Sequence, residues 1–420
     1  MSSPIHILQR IRAGLAWRLS PIWQRAFHAA IIRESAWLPL LMLVAQRLQT
    51  AGPGTLTRVP LEWLDATRRG TRHELLPPSD GLSVGPSIEG QQRIEQVTLP
   101  ALAHFEFTDA KVGATSSALW LGEVLILERL PAADPSRGHF AAGFVVGHGR
   151  RTAVVRQLPT EDLEAGFFLG GNGSFNYYHW LVELLPKLEY LVDSKVPLLV
   201  SEDVARIASF QAALSLVAGE RQVIQLRKDR LYRVARLLHI NSPILCPFNL
   251  KPGYALEVAD FVTRPGALVF MRSKLMAGLQ VPSGAGGTRV FLGRKSRRRN
   301  YNQDQVFAIF ARHGFRMILM EELSLVEQRQ TVVSAEMIAG PTGAAWTNLI
   351  FARPGTRCLC WMAEPSVGFA GYSNLAHHVG AILHYVIYNS AGQTTDELYQ
   401  MDYRLDPASV ERAVERMLVA

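Results

Sequence analysis

The sequence predicts an α/β protein with two domains, the second a Rossmann-like parallel sheet. Three observations predict this. The chain has 420 residues, more than one ordinary hydrophobic core accommodates. It is 48% apolar and 19% charged, which is a globular composition rather than a disordered one. From residue 289 onward, short apolar runs alternate with amphipathic segments closed by Gly or Pro, the rhythm of strand–helix–strand units.

Residues 1–55 are expected to form an N-terminal helical extension. "LQRIRAGLAWRLSPIWQRAFHAAIIR" (8–33) sets Arg10, Arg12, Arg18, Arg25 and Arg33 among Leu, Ile, Trp and Phe. Such a helix either packs on the protein's own body or lies on anionic lipid as a peripheral membrane contact. "AWLPLLMLVA" (36–45) follows and is about half of the roughly twenty residues a membrane span needs. It also lies too deep in the chain for a signal peptide.

Residues 56–277 are expected to be the first, acceptor-side domain. Residues 68–95 are polar and turn-rich and predict a loop. Short β runs then appear in "RIEQVTL", "HFEFTDAKV", "SALWLGEVLILER" and "TAVVRQL". A helix is expected from Asn176, followed by strands in "VPLLV", "QVIQL" and "YRVARLLHI". The Gly- and Ser-rich "GLQVPSGAGGTR" (278–289) predicts a linker.

Residues 278–405 are expected to be the second domain. "RVFLGR", "FRMILM", "EMIAG", "TRCLCWM" and "ILHYVIY" predict strands. "QDQVFAIFARHG", "SLVEQRQTVVSA" and "AAWTNLIFARPG" predict helices between them, the last ending at Pro354–Gly355. A final helix over 406–420 is expected to pack back on the first domain.

Lys and Arg number 44 against 36 Asp and Glu, a surplus of eight. That suits an anionic partner such as a nucleotide or a membrane surface. It argues against nucleic acid, because no aromatic-interleaved basic sheet or recognition helix accompanies "RKSRRR". Three cysteines, Cys246, Cys358 and Cys360, argue against a disulfide framework and for a reducing compartment. Cys358 and Cys360 share one strand face with no further ligands at zinc spacing, so they are taken as packing residues and no metal site is expected.

Ligands in parallel sheets sit beyond the carboxyl ends of the strands. At the first such junction, Arg294, Lys295, Arg297, Arg298 and Arg299 follow a strand directly. They are either a solvated basic loop or a grip on a diphosphate. Asn302 with Gln305, and Ser324 with Glu327, have capping-box spacing, so Asn302 and Glu327 are either caps or ligand contacts. At the third junction, "GPTG" (340–343) turns from strand into helix and aims backbone N–H groups outward.

"GGNGSFNYYHWLVELLPKLEYL" (170–191) places turn residues, an Asn, a His and a Glu against an apolar run. On a helix starting at Asn176, residues Asn176, His179 and Glu183 lie on one stripe. Pro186 then interrupts the helix after Glu183. His179 and Glu183 are either a buried His with a surface Glu, or a proton-accepting pair.

These stretches together resemble the three signature blocks of glycosyltransferase family 61. The blocks are "NYYHWLVELLPKLEYL", "GRKSRRRNYNQDQ" and "MEELSLVEQRQTVVSAEMIAGPTGAAWTNLIFARPGT". The resemblance implies a GT-B architecture, with two Rossmann-like domains facing across a cleft. It implies inverting transfer from a nucleotide-sugar, of UDP type first, without a cofactor or bound metal. Its donor-side positions fall on Arg294, Arg298, Arg299, Asn302, Glu327, Gly340, Pro341, Thr342, Gly343, Ala344 and Asn348, and its acceptor-side positions on Asn176, His179 and Glu183. This chain departs from the pattern at Thr342, where relatives typically carry His, and at Cys360, where they often carry an acidic residue. The resemblance suggests surface polysaccharide synthesis on a glycan or lipid-linked acceptor, in the cytoplasm at the inner face of the membrane. The alternative is a non-catalytic subunit that binds nucleotide or glycan.

Overall fold

The structure is a computed structural model that describes residues 23–47, 54–130, 137–279, 287–295, 298–392 and 395–419. The expectations placed on residues 1–22, on most of the 278–289 linker and on Arg297 lie outside the described residues.

Two helices come first, α1 (23–32) and α2 (Leu38–Arg47). Then follow β1 (Thr55–Trp63), β2 (Thr71–Leu76), the hairpin β3 (Ser79–Ile88) and β4 (Gln91–Leu99), and β5 (Leu102–Gly113). β6 (Leu119–Leu121), β7 (Val124–Leu127), β8 (Val145–His148), β9 (Thr152–Gln157) and β10 (Thr160–Phe168) complete the approach to the Gly-rich mouth. Beyond it lie β11 (Leu198–Ser201), α3 (Glu202–Arg206), α4 (Ala208–Ala218), β12 (Val223–Leu226) and β13 (Leu231–Ile240). The short pair β14 (Ile244–Leu245) and β15 (Val262–Thr263) leads into α5 (Pro265–Gly278).

The first sheet has eleven strands in the order β12-β11-β10-β13-β5-β6-β7-β1-β9-β8, with β2 paired to β5. Four of them, β12, β11, β10 and β13, run parallel. Chain order reverses between β10 and β13, which makes their carboxyl ends a topological switch point.

The second half alternates as expected: β16 (Thr288–Leu292), α6 (Gln303–Ala311), β17 (Phe315–Ile318), α7 (Leu325–Ser334), β18 (Ala335–Pro341), a 3₁₀ segment Ala344–Phe351, β19 (Arg357–Ala363), α8 (Gly371–Val379) and β20 (Ile382–Tyr388). The second sheet runs β17-β16-β18-β19-β20-β3-β4. It is parallel from β17 through β3, and only β4 is antiparallel. Its switch point lies between β16 and β18.

Two expectations are corrected. Residues 68–95 are not a loop; they form β2, β3 and the start of β4. Their polarity misleads because β2 and most of β4 keep their side chains in water, so neither shows the apolar run of a doubly covered strand. The hairpin also crosses the expected domain boundary, since β3 pairs in parallel with β20 through Ser87↔His384 and Tyr385↔Ile88. The Val84 N–H donates to Asn374 Oδ1 at 2.7 Å and Ser83 Oγ–H to the Val258 carbonyl at 2.6 Å.

The last elements are α9 (Thr395–Gln400) and α10 (Pro407–Val419). The expected return of the last helix to the first domain does not occur. Val410, Ala413, Val414 and Met417 form one helical stripe. That stripe packs with Val306, Phe310 and Trp361 on the second sheet. The largest core runs across both halves, joining Trp180, Leu181 and Leu238 to Val290, Ile350 and Cys360.

The α1–α2 hairpin is anchored on the first sheet. Phe27, Ile31, Leu38 and Ala45 pack with Leu56 and Val154. Glu34 accepts from the N–H groups of Arg151 and Thr152, both at 2.7 Å. Burial alone would raise its carboxyl, but these donors outweigh it and hold it below its ordinary 4.5. A carboxyl lowered in the folded state lends stability that is full above its unfolded pKa and lost as pH falls through the folded one. Glu34→Gln should therefore lower Tm at pH 7, and the gap to wild type should close once the pH drops well below 4.5. Thermal melts across pH measure this.

Candidate functional site

The mouth after β10 is built around Gly173. Its φ is +74°, and a Cβ there would sit 2.7 Å from His179 Cδ2 and 3.0 Å from Phe248. Only glycine meets both demands. Asn176 Oδ1 accepts the Tyr178 N–H at 2.9 Å, and the Asn176 carbonyl accepts the Trp180 N–H at 2.9 Å. The helix that follows is not a kinked α-helix. Residues His179–Leu184 form a π-turn, closed by the Leu185 N–H on the Trp180 carbonyl, and Leu185–Tyr190 form a 3₁₀ segment. Pro186, at the start of that segment, has no N–H to offer the turn before it, and the backbone changes its winding there.

His179 Nδ1 donates to Glu183 Oε2, and Glu183 Oε1 accepts the Cys246 N–H at 2.5 Å. Both side chains are buried, so the surface Glu is excluded. With Nδ1 committed to the carboxylate, Nε2 is the nitrogen left to accept a proton. Asn176 does not join the pair. It lines a second pocket, with residues of the second sheet.

Behind His179 lies a cavity of about 60 Å³ whose walls include Glu128, Lys187, His239 and Asn172. Sequence reasoning missed all four. Lys187 is buried; burial pulls its ammonium down, and Glu128 and Glu183 pull it back. Burial pushes the Glu128 carboxyl up, while Lys187 and the Ser242 N–H, which donates at 2.7 Å, oppose that rise. Burial, then Lys187 and His104, push His239 well below its ordinary value, so its ring is neutral. Asn172 Oδ1 accepts from the Ser117 N–H at 3.0 Å, which leaves its buried amide N without a partner among the described residues.

The second pocket occupies the switch point of the second sheet. Gly340 lets β18 approach β16, since a Cβ there would lie 2.5 Å from Leu292 Cβ. Arg294, after β16, donates from Nη2 to the Thr342 carbonyl at 2.6 Å. Arg299 donates from Nη2 to Thr342 Oγ1 at 3.0 Å. A Cβ on Gly343 would be 3.0 Å from Arg294 Nη2. Pro341 accepts the Trp346 indole N–H at 2.9 Å. Arg299 has a φ of +56°, a conformation a long side chain adopts only when its surroundings enforce it. Burial and then the neighbouring Arg299 charge lower the Arg294 guanidinium. Among the described residues neither guanidinium pairs with a carboxylate. Cys360 lies beside both, and burial pushes its thiol well above its ordinary range, so it stays neutral. A space of about 100 Å³ is bordered by Arg299, Thr342, Gly343, Asn176, Ala344 and Tyr372, and Arg294 lines a neighbouring space.

Other expected donor residues lie elsewhere. Arg298 is exposed. Asn302 is not in the wall of the space beside Arg299 but lines the neighbouring one with Arg294. Its amide clamps the Leu405 backbone from both sides, each bond 3.0 Å, so it fixes the chain ahead of α10. Nor does its side chain cap α6. Glu327 is an exposed member of a capping box with Ser324, whose N–H donates to Oε2 at 2.8 Å. Asn348 is buried and accepts the Tyr177 hydroxyl at 3.2 Å. With the Tyr178 hydroxyl on the Gly371 carbonyl at 3.2 Å, this bond joins the two mouths. Among the described residues no group of three or more His, Cys, Asp or Glu is placed to hold a metal ion.

Residues 177–359 match the family model described as Glycosyltransferase 61. That stretch spans both mouths, from Tyr177 to the strand holding Cys360. This match supports the resemblance to glycosyltransferase family 61 and, with it, glycosyltransferase activity. No curated protein matches. Among solved structures, a diflavin flavoprotein A3 from Nostoc sp. aligns with a TM-score of 0.22 and 13% identity, over 33% of this chain and 98% of that one. A likeness that weak carries no argument.

Gly173→Ala should cost about 1–3 kcal/mol, because it combines a positive φ with a Cβ driven into the His179 ring. Denaturant unfolding measures the loss. An unchanged midpoint would show that the His179 ring is not held by this turn.

Proposed function

We propose that this chain is an inverting, metal-independent glycosyltransferase that moves a sugar from a nucleotide-sugar to a hydroxyl of a glycan or lipid-linked acceptor. The observation that carries this reading is the pair of guanidinium groups, Arg294 and Arg299, which pair with no carboxylate among the described residues, at the switch point of the second sheet. Such a site stabilises a dianionic leaving group in the way a bound cation does elsewhere. The two sheets are read as the two lobes of a GT-B arrangement, with the acceptor on the His179 side.

In this mechanism the acceptor hydroxyl gives its proton to His179 Nε2 as its oxygen attacks the anomeric carbon. The bond from that carbon to the diphosphate breaks, and its electron pair leaves with the diphosphate. Arg294, Arg299 and the N–H groups of Gly343 and Ala344 receive the developing charge; the Thr342 N–H is held by the Trp361 carbonyl at 3.1 Å. Glu183 holds the ring in the tautomer with Nε2 free and stabilises the imidazolium that forms. A UDP-type donor and surface polysaccharide synthesis in the cytoplasm, at the inner face of the membrane, complete the reading. A second reading, a non-catalytic subunit that binds nucleotide or glycan, draws on Thr342 and Cys360, where this chain departs from its relatives.

Thermal-shift assays with UDP, GDP, CMP, ADP and dTDP test the donor side. UDP is expected to raise Tm, by the equivalent of about 2.7 kcal/mol at a hundredfold excess over Kd. Arg299→Ala should abolish the rise, and no rise with any nucleotide would sink the donor site. His179→Ala tests the acceptor side. It should keep the UDP shift and lose about 10²–10⁴-fold in transfer rate. A wild-type UDP shift with no transfer to any acceptor would favour the non-catalytic reading.

A further inference from the structure

We infer that the outward face of the α1–α2 hairpin is a docking surface for an anionic lipid bilayer. α2 is apolar on both its sides, with Leu41 and Met42 packing inward beside its buried residues. Its buried residues are Leu38 and Ala45, whereas Leu40 and Leu43 are 53% and 47% exposed. Trp37, immediately before the first turn, is 70% exposed. At 3.6 residues per turn, Trp37, Leu40, Leu43 and Arg47 fall within one arc of about 120°. This is the "AWLPLLMLVA" run, too short to span a bilayer, and among the described residues no helix is long and apolar enough to do so.

The charge of the hairpin selects the partner. Arg25, Arg33 and Arg47 are exposed. The one acidic residue in 23–47, Glu34, is turned inward onto the Arg151 and Thr152 backbone. The outward charge is therefore positive, beside an apolar stripe with an indole at its end. A bilayer surface meets each part. Acyl chains take the leucines, the headgroup boundary takes the Trp ring, and lipid phosphates take the guanidinium groups. A second copy docked on the same face would bring these Arg residues against their own kind. This surface does not depend on the transfer chemistry and stands if that reading fails.

The test is flotation of the full chain with phosphatidylcholine vesicles, with and without phosphatidylglycerol. The chain should float with the phosphatidylglycerol vesicles and partition about tenfold less onto phosphatidylcholine alone or in high salt. The triple substitution Trp37→Ser, Leu40→Ser and Leu43→Ser should lower partitioning by a similar factor. A second readout works on a single exposed position. Leu43→Cys, labelled with an environment-sensitive fluorophore, should shift to the blue on the same vesicles, while the native Cys246, Cys358 and Cys360 are buried from the reagent. Wild-type chain that stays unbound to phosphatidylglycerol vesicles overturns the inference. So does a floating chain whose Leu43 label does not shift. Sedimentation velocity supplies the remaining outcome. A wild-type dimer that the triple substitution turns into monomer would assign the face to a second copy and overturn it as well.

Discussion

When two neighbouring parallel strands send their chains to opposite sides, a crevice opens at their carboxyl ends, and both candidate centres occupy such crevices. β10 and β13 frame the first, and β16 and β18 frame the second. The second is shaped by how closely its strands approach. Without the missing side chain at Gly340, β18 would be pushed off Leu292, and Arg294 could not reach the Thr342 carbonyl. The two crevices are then brought together by hydroxyls of adjacent residues, Tyr177 on Asn348 and Tyr178 on Gly371.

The centres treat charge in opposite ways. Around His179 the Glu183 carboxylate accepts from the imidazole, and the buried Lys187 lies among Glu128 and Glu183. Buried pairs of this kind add little net stability, yet removing one member leaves the other charge stranded. Their effect is to fix an orientation. Around Arg299 the protein does the reverse. Two like charges stand side by side, one on a left-handed backbone, with a neutral thiol at Cys360 where a carboxylate would have cancelled them.

Much of the second sheet was legible because its strands, covered on both faces, appear as short apolar runs such as those of Phe291 and Cys358, and its turns announce themselves through Gly and Pro. The Arg294 and Thr342 junctions could be located for that reason, while spacing placed His179 and Glu183 on one stripe and left open whether Glu183 turns inward. Asn302 and Glu327 could not be resolved. A cap and a ligand contact use the same residue types at the same interval, and only the partner atom, here Leu405 or Ser324, decides. Lys187 and Glu128 carried no signal, since the fold alone brings them together. The β3–β4 hairpin was misread because its exposed side chains resemble those of a loop, and because strand membership in a distant sheet leaves no local trace.

That hairpin has a consequence for how the molecule is made. On the ribosome its strands emerge early, while β20, their neighbour, is among the last strands to appear. The intervening chain must fold around an edge that waits, unpaired, for most of synthesis. Such delayed closure makes folding slow and dependent on protection from aggregation. It also means that the two halves cannot be expressed as separate pieces cut at the Gly-rich linker, because the C-terminal piece would lack the two strands that seal its edge.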